Sequence, residues 1–332
     1  MSTWNRPRCV CVQQCVAIYP TDRFGIVRRE AALTRDISDD DLAAAIRRKD
    51  LLRLTPGAFV VNSDSFTGPS GADELYRLRS VATATSGFVG EVTLPLSHES
   101  AAAMHKLPLL KPNRDLVHVT NGRASGGSKR TLRHIHAGVL LPTEIVDIDG
   151  IRATSIERAA VDIACGGTFA QALTVFDSAK RLGADAEQMA EILARRRRRG
   201  IAAARRALPL SDALAESVGE SWSRAQMIDA GVASPRLQHR FRCGTTTYRS
   251  DFDWQADGER AGVVGEFDGL EKYGRLRRPG ESVADAVIRE KVREDALRAH
   301  GLIVVRWTWS VLERGGLIAL LRPWLSPDAL AS

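Results

Sequence analysis

No stretch of this 332-residue chain is apolar for long enough to cross a bilayer, which takes about 20 consecutive apolar residues. The N-terminus also lacks the unbroken apolar core of a signal peptide, because Gln13 and Gln14 interrupt it. A cytoplasmic protein with no membrane partner is expected. Cysteine is scarce. The five (Cys9, Cys11, Cys15, Cys165 and Cys243) have no zinc-ligand spacing and suggest no disulfide framework. Histidine is nearly as thin, with four of seven between residues 105 and 136: His105, His118, His134 and His136. None stands at a spacing that a catalytic group requires, although His134 and His136 would share one face of a strand. Ser97-His98 has no placed third partner, so it reads as a helix cap and a surface histidine rather than a nucleophile and its base. What the chain has in mild excess is positive charge. Lys and Arg number 47 against 40 Asp and Glu, a net charge of +7 that suits a polyanionic partner.

Length allows two or three domains of mixed α/β (α+β) character. Residues 1–20 precede anything patterned, which leaves room for a later translation start. Residues 22–62 read as a winged helix-turn-helix. Val27–Arg35 forms a short helix, then Ser38 caps a second one and pairs with Asp41 three residues on. Asp39, Asp40 and Asp41 complement that helix's dipole, and Leu42, Ala45 and Ile46 form its buried stripe. Leu51–Leu54, a Pro56-Gly57 turn and Ala58–Val61 make the wing. Three aspartates stand where base-contacting residues would start. Arg47, Arg48, Lys49 and Arg53 are the groups that would bind nucleic acid, unless this unit binds protein instead.

Residues 72–210 form a mixed middle region. Asp73–Ala84, Ser155–Cys165 and Phe169–Leu182 read as helices, and Leu116–Thr120 and Arg133–Ala137 as strands. Val146–Thr154 is a hairpin turning at Asp149-Gly150. A basic run, Arg195, Arg196, Arg197, Arg198 and Arg199, is either a solvated helix face or a phosphate-binding patch.

Residues 214–325 change pattern. Ala215–Ala230 is a helix with Gly231 as its C-cap and Glu220 in its middle. Tyr248–Gln255 and Arg260–Phe267 are strands around an Asp257-Gly258 turn. With those two residues as the loop, Asp251 lies opposite Val264 and Arg249 opposite Glu266. Arg249, Asp251, Asp253, Val264, Glu266 and Asp268 then share one face, and Phe252, Trp254, Val263 and Phe267 the other. Asp251 and Glu266 become diagonal neighbours about 7–8 Å apart, a gap that a divalent cation bridges. The alternative is a half-exposed hairpin whose acids face water. A helix follows from about Ser282 to His300, with Ala284, Ile288, Val292 and Ala296 as its buried stripe. Leu302–Trp309 is a mostly apolar strand, expected to be central. Ser310–Leu325 closes the chain as a helix, with Trp324 docking on the core.

Two resemblances add to this reading. REAALTRDISDDDLAAAIRRKDLLRLTPGAFVV, with LPLSHESAAAMHKLPL, LVHVT and VDIDGIRATSIERAAVDIA, resembles the antitoxin of abortive-infection type IV toxin–antitoxin systems. That implies DNA as a partner and a cognate toxin protein as another. ESVGESWSRAQMIDAGV, YRSDFDW, VVGEFDGLEKYG and REDALRAHGLIVVRWTW resemble the PD-(D/E)xK, restriction-endonuclease-like fold in its very-short-patch-repair branch. That resemblance implies a Mg²⁺- (or Mn²⁺-) dependent DNA endonuclease. By position, Asp251 and Glu266 hold the metal and Glu220 matches the acid of the preceding helix. Asp268 falls where the general scheme has lysine, and Lys272 where the branch often has histidine. The competing expectation is a non-catalytic antitoxin-type regulator, or a protein that neutralises a toxin.

Overall fold

The computed structural model describes residues 19–86, 94–196, 201–255, 261–269 and 282–325. The chain is mixed α/β and divides into two compact units. One comprises residues 1–106 and 113–155, the other residues 107–112 and 156–332. That division falls between Ser155 and Ile156, inside the 72–210 region that sequence alone groups together.

The first unit opens with β1 (Ile26–Arg28), α1 (Arg29–Leu33), α2 (Asp39–Arg48), β2 (Leu51–Thr55) and β3 (Ala58–Val61). Val27 and Arg28 are strand, not the expected helix, because they pair with Phe59 and Ala58 of the wing in a sheet of order β1-β3-β2. Ser38 caps α2 through a capping box with Asp41, as its spacing predicts. Val27, Ala32, Leu42, Ala45, Leu51 and Phe59 close the small core.

The unit continues with α3 (Gly68–Ala84), α4 (His98–Met104), β4 (Val117–Gly122), β5 (Ser128–Lys129), β6 (Arg133–Val139), β7 (Ile145–Ile148) and β8 (Ile151–Thr154). The hairpin β7–β8 turns at Asp149-Gly150, with φ of +53° and +77°. Both lie in the left-handed region that a type I′ turn demands, so the Asp-Gly signal is met. β4 and β6 run parallel, with His118 beside His134 and Thr120 beside His136.

The second unit begins with four helices, α5 (Ile156–Gly166), α6 (Phe169–Arg181), α7 (Ala186–Ala194) and α8 (Ile201–Leu210), then α9 (Val218–Asp229). Short strands β9 (Arg236–Leu237), β10 (Arg240–Cys243), β11 (Thr246–Arg249) and β12 (Phe252–Trp254) follow. The unit ends with β13 (Val263–Asp268), α10 (Val283–Ala299), β14 (Ile303–Thr308), α11 (Trp309–Glu313) and α12 (Leu317–Leu321). The central sheet has the order β14-β13-β12-β9, with β13 parallel to β14 and antiparallel to β12. Phe252, Trp254, Val263, Phe267, Val305, Trp307 and Leu312 form its core, with Met227 of α9 packed against them.

Several expectations fail here for identifiable reasons. The strand expected over Tyr248–Gln255 breaks at Ser250, so β11 pairs with β10 while β12 joins the central sheet. β14 lies at the end of the sheet order instead of its centre. The closing helix splits at Gly315, whose φ is +66°, and Trp324 is 46% exposed rather than docked. The stripe expected to bury α10 points outward: Ile288 is 61% and Val292 55% exposed. The inward face of α10 carries ion-pairing side chains instead. Glu290 and Glu294 meet Arg306 of β14, and Arg293 meets Glu266 of β13.

Candidate active site

Two close approaches press α9 onto β13. A Cβ on Gly219 would stand 2.0 Å from a ring carbon of Phe267, so the absence of a side chain there lets the helix reach the sheet. On the strand itself, a Cβ on Gly265 would meet the Trp307 ring at 2.6 Å. Trp307 is fully buried and its indole N–H donates to Ser223 Oγ of α9 at 2.7 Å. This packing sets Glu220 beside the end of β13. Glu220 lies in the first turn of α9 rather than mid-helix, because Ser217 is the N-cap.

The hairpin register differs from the expected one by two residues. Phe252 faces Gly265, Asp253 faces Val264 and Trp254 faces Val263. Continuing that ladder puts Asp251 directly opposite Glu266, not Val264. A shift of two preserves every face, so the acids still share one side while Phe252 and Trp254 enter the core. The Asp257-Gly258 turn lies outside the described residues, as does Lys272.

Glu220 and Glu266 are 5% and 7% exposed, values that ionised carboxylates seldom tolerate without partners. Burial, with the Asp251 charge next in weight, lifts each from 4.5 to about 7. That common perturber ties the three acids into one electrostatic cluster. The contacts are as follows. Glu220 Oε2 accepts from the Glu216 backbone N–H at 2.8 Å and from Gln238 Nε2 at 2.9 Å, and Oε1 accepts from Ser217 Oγ at 2.8 Å. Asp251 Oδ2 accepts from the Phe267 backbone N–H at 2.9 Å. Glu266 Oε1 accepts from Arg293, which also donates to Glu290 at 2.6 Å and to the Arg249 carbonyl at 2.8 Å. Arg249, placed opposite Glu266 by the expected register, instead forms a two-armed pair with Glu216, at 2.6 and 2.7 Å.

The remaining expected acids separate. Asp253 is buried and held by Arg236 at 2.7 Å and His239 at 3.2 Å, which removes it from the cluster. Asp268 ends β13, half-buried, on the same face as Glu266. The residues that sequence reasoning did not bring in are Gln238 and Glu216. Glu216 stands four residues before Glu220, and Gln238 carries no signal in the sequence.

The basic residues also divide. Arg47, Arg48, Lys49 and Arg53 are exposed on α2 and β2. Asp39 pairs with Arg29, and Asp41 is occupied by Ser38, so two of the three aspartates at the start of α2 are already engaged. Arg195 is exposed, whereas Arg196 pairs with the buried Asp162, which also takes Arg158 at 2.9 Å. Arg196 is therefore a structural cation, not part of a solvent-facing patch. Arg197, Arg198 and Arg199 lie outside the described residues.

No protein-family model matches the chain. It is similar to two Mycobacterium tuberculosis proteins, "Uncharacterized protein MT2308" of strain CDC 1551 and "Uncharacterized protein Rv2248" of strain H37Rv. Each is 33% identical over 161 residues, 48% of this chain and 55% of the relative. The chain thus spans about half the length of the curated relatives it matches.

A second group of ligating side chains was missed altogether. His98, His118 and His136 have ligand nitrogens within 4.8 Å of one another, the one such trio of His, Cys, Asp or Glu among the described residues. His98 is half-buried rather than a surface histidine. Burial, with His134 and Lys129 nearby, holds His118 down from 6.5 to about 4. Among the described residues no helix is long and apolar enough to cross a membrane.

Proposed function

We propose that the chain is a metal-dependent DNA endonuclease whose second unit hydrolyses phosphodiester bonds and whose antitoxin-like N-terminal half grips DNA. The observation that carries this reading is the convergence of Glu220, Asp251 and Glu266, where burial and, after it, the Asp251 charge raise two carboxyls to about 7. Side chains placed against one another's charge, at the end of a strand, are a mark of functional sites. The order helix, hairpin, helix, strand supports the restriction-endonuclease-like resemblance as well.

The donor set fits a hard divalent cation: all oxygen, anionic and mutually repelling. Asp251 and Glu266 would hold Mg²⁺ or Mn²⁺. An ion held there would supply Lewis-acid chemistry, polarising a phosphate and lowering the pKa of a water. The protein's own groups do the rest. Glu220, with its carboxyl near neutrality and its oxygens fixed by Ser217, Glu216 and Gln238, is suited to take a proton from the attacking water. Arg293 sets a guanidinium beside Glu266, where it opposes negative charge growing on phosphate oxygens. Asp268 and Lys272 keep supporting roles in this reading. Arg47, Arg48, Lys49, Arg53 and Arg195 supply contacts to the DNA backbone.

One observation favours a second reading. Arg293 already occupies Glu266, an arrangement that also suits an inert site. The protein is then a non-catalytic antitoxin-type regulator, or a binding protein that neutralises a cognate toxin. Incubation of the purified chain with supercoiled plasmid and Mg²⁺ or Mn²⁺ separates the two. The endonuclease nicks the plasmid, and Asp251→Ala or Glu266→Ala abolishes nicking. Salt-dependent DNA binding without cleavage would leave the regulator.

A further inference from the structure

We propose that the first unit binds a transition-metal ion of the zinc class through His98, His118 and His136. The three imidazoles come from three separate elements: His98 opens α4, His118 lies on β4 and His136 on β6. The parallel pairing of β4 with β6 turns His118, His134 and His136 to one face, and α4 brings His98 onto that same face. His98 stacks on His136 with ring centroids 3.7 Å apart, and His118 Nδ1 lies 2.8 Å from His136 Nε2. Nitrogens bound to one tetrahedral ion sit about 3.3 Å apart, for bonds of about 2.0 Å. The ligand nitrogens of the trio all lie within 4.8 Å of one another, close to that spacing.

Two further observations point the same way. His98 has a φ of +49°, a left-handed backbone that is uncommon for non-glycine residues. That conformation is what aims its ring across the two strands. The outer contact of His98 also matches that of a ligating histidine, whose second nitrogen is commonly fixed by a hydroxyl or a carboxylate. His98 Nδ1 lies 3.1 Å from Ser97 Oγ. Glu99 Oε2 lies 3.6 Å from His118 Nδ1, the nitrogen that faces His136, and so sets an anionic oxygen at the edge of the trio. The imidazole donor set selects zinc, cobalt, nickel or copper over magnesium. It thus differs in chemistry from the carboxylates of the second unit. A cleft of about 340 Å³ reaches one member of the trio, His118, and is lined also by His134, Asn113 and Lys129. Three histidine ligands leave one position of a tetrahedral ion for a further ligand, the pattern of a reactive rather than a purely structural zinc centre.

The test is titration of the chelator-stripped full chain with Co²⁺, followed by its visible d–d absorption, and then displacement by Zn²⁺. To silence the carboxylates, the protein carries Asp251→Asn and Glu266→Gln. One equivalent of Co²⁺ with four- or five-coordinate bands is expected. His136→Ala should weaken binding at least 100-fold. His98→Asn should also remove the bands, because asparagine tolerates the positive φ and keeps the fold while lacking the imidazole. His300→Ala, at an exposed helix end, should change nothing. Absence of stoichiometric Co²⁺ binding would overturn the proposal. So would unchanged binding in a folded His98→Asn protein, as judged by circular dichroism.

Discussion

The two clusters solve opposite problems with the same number of side chains. In the second unit, three acids are brought together against their mutual repulsion, and burial with the Asp251 charge forces protons onto two of them near neutrality. In the first unit, three imidazoles gather, stacked and hydrogen-bonded, and burial holds His118 down towards its neutral form. An acid cluster is stabilised by a hard cation and destabilised without one. An imidazole cluster already satisfies part of its own hydrogen bonding and gains less from a metal in fold stability.

The largest contrast should come from removing the charge at the centre of the acid cluster. Asp251→Asn is expected to lower Mg²⁺-dependent plasmid cleavage by about 10³-fold, roughly 4 kcal/mol in barrier height. The same change should leave the Co²⁺ spectrum of the first unit intact. If cleavage survives, the acids are not the site.

Next in size is the packing that brings Glu220 to the strand. Gly219→Ala drives a methyl group into the Phe267 ring and should cost about 3 kcal/mol of stability in urea unfolding. An unchanged midpoint would mean that α9 is not seated on β13 as described.

A smaller effect separates the clusters by sign. Glu220 and Glu266 have carboxyls raised from 4.5 to about 7, so the folded state holds more protons than the unfolded chain between those values. Their contribution to stability is full below pH 4.5 and is lost as pH rises towards 7. His118 is depressed from 6.5 to about 4, so its contribution is full above 6.5 and is lost as pH falls towards 4. With chelator present, Glu220→Gln should gain about 1–2 kcal/mol at pH 8 relative to pH 5, measured by urea unfolding. His118→Gln should show the reverse trend, losing the sensitivity to acid. Parallel slopes in both variants would erase the distinction drawn here.

The smallest expected effect lies outside both clusters. Ser38→Ala removes the cap of α2 and should lower stability by about 1 kcal/mol, with little change at either cluster.

How much of this was visible in the chain follows from how local each feature is. The Ser38 capping box, the Asp149-Gly150 turn and the Gly231 C-cap were legible because each is decided within a few residues. The acids were found on the right face despite a register two residues off. Side-chain alternation survives an even shift, while loop length does not announce itself in composition. The stripe of Ala284, Ile288 and Val292 misled because four-residue spacing marks an apolar face without saying which way it turns. Glu290, Arg293 and Glu294 took the inward side through their ion pairs. The histidine trio was illegible for a different reason. His98, His118 and His136 meet only through the parallel pairing of β4 with β6 and the backward φ of His98, neither of which a spacing rule can anticipate.

Calorimetric titration of Mg²⁺ into the full chain at pH 7.5, beside the Asp251→Asn protein, addresses the central claim most directly. The expected result is one ion bound per chain at millimolar or lower Mg²⁺, with the heat of binding gone in the variant. Equal binding by both proteins, or by neither, would contradict a cation site built from these carboxylates.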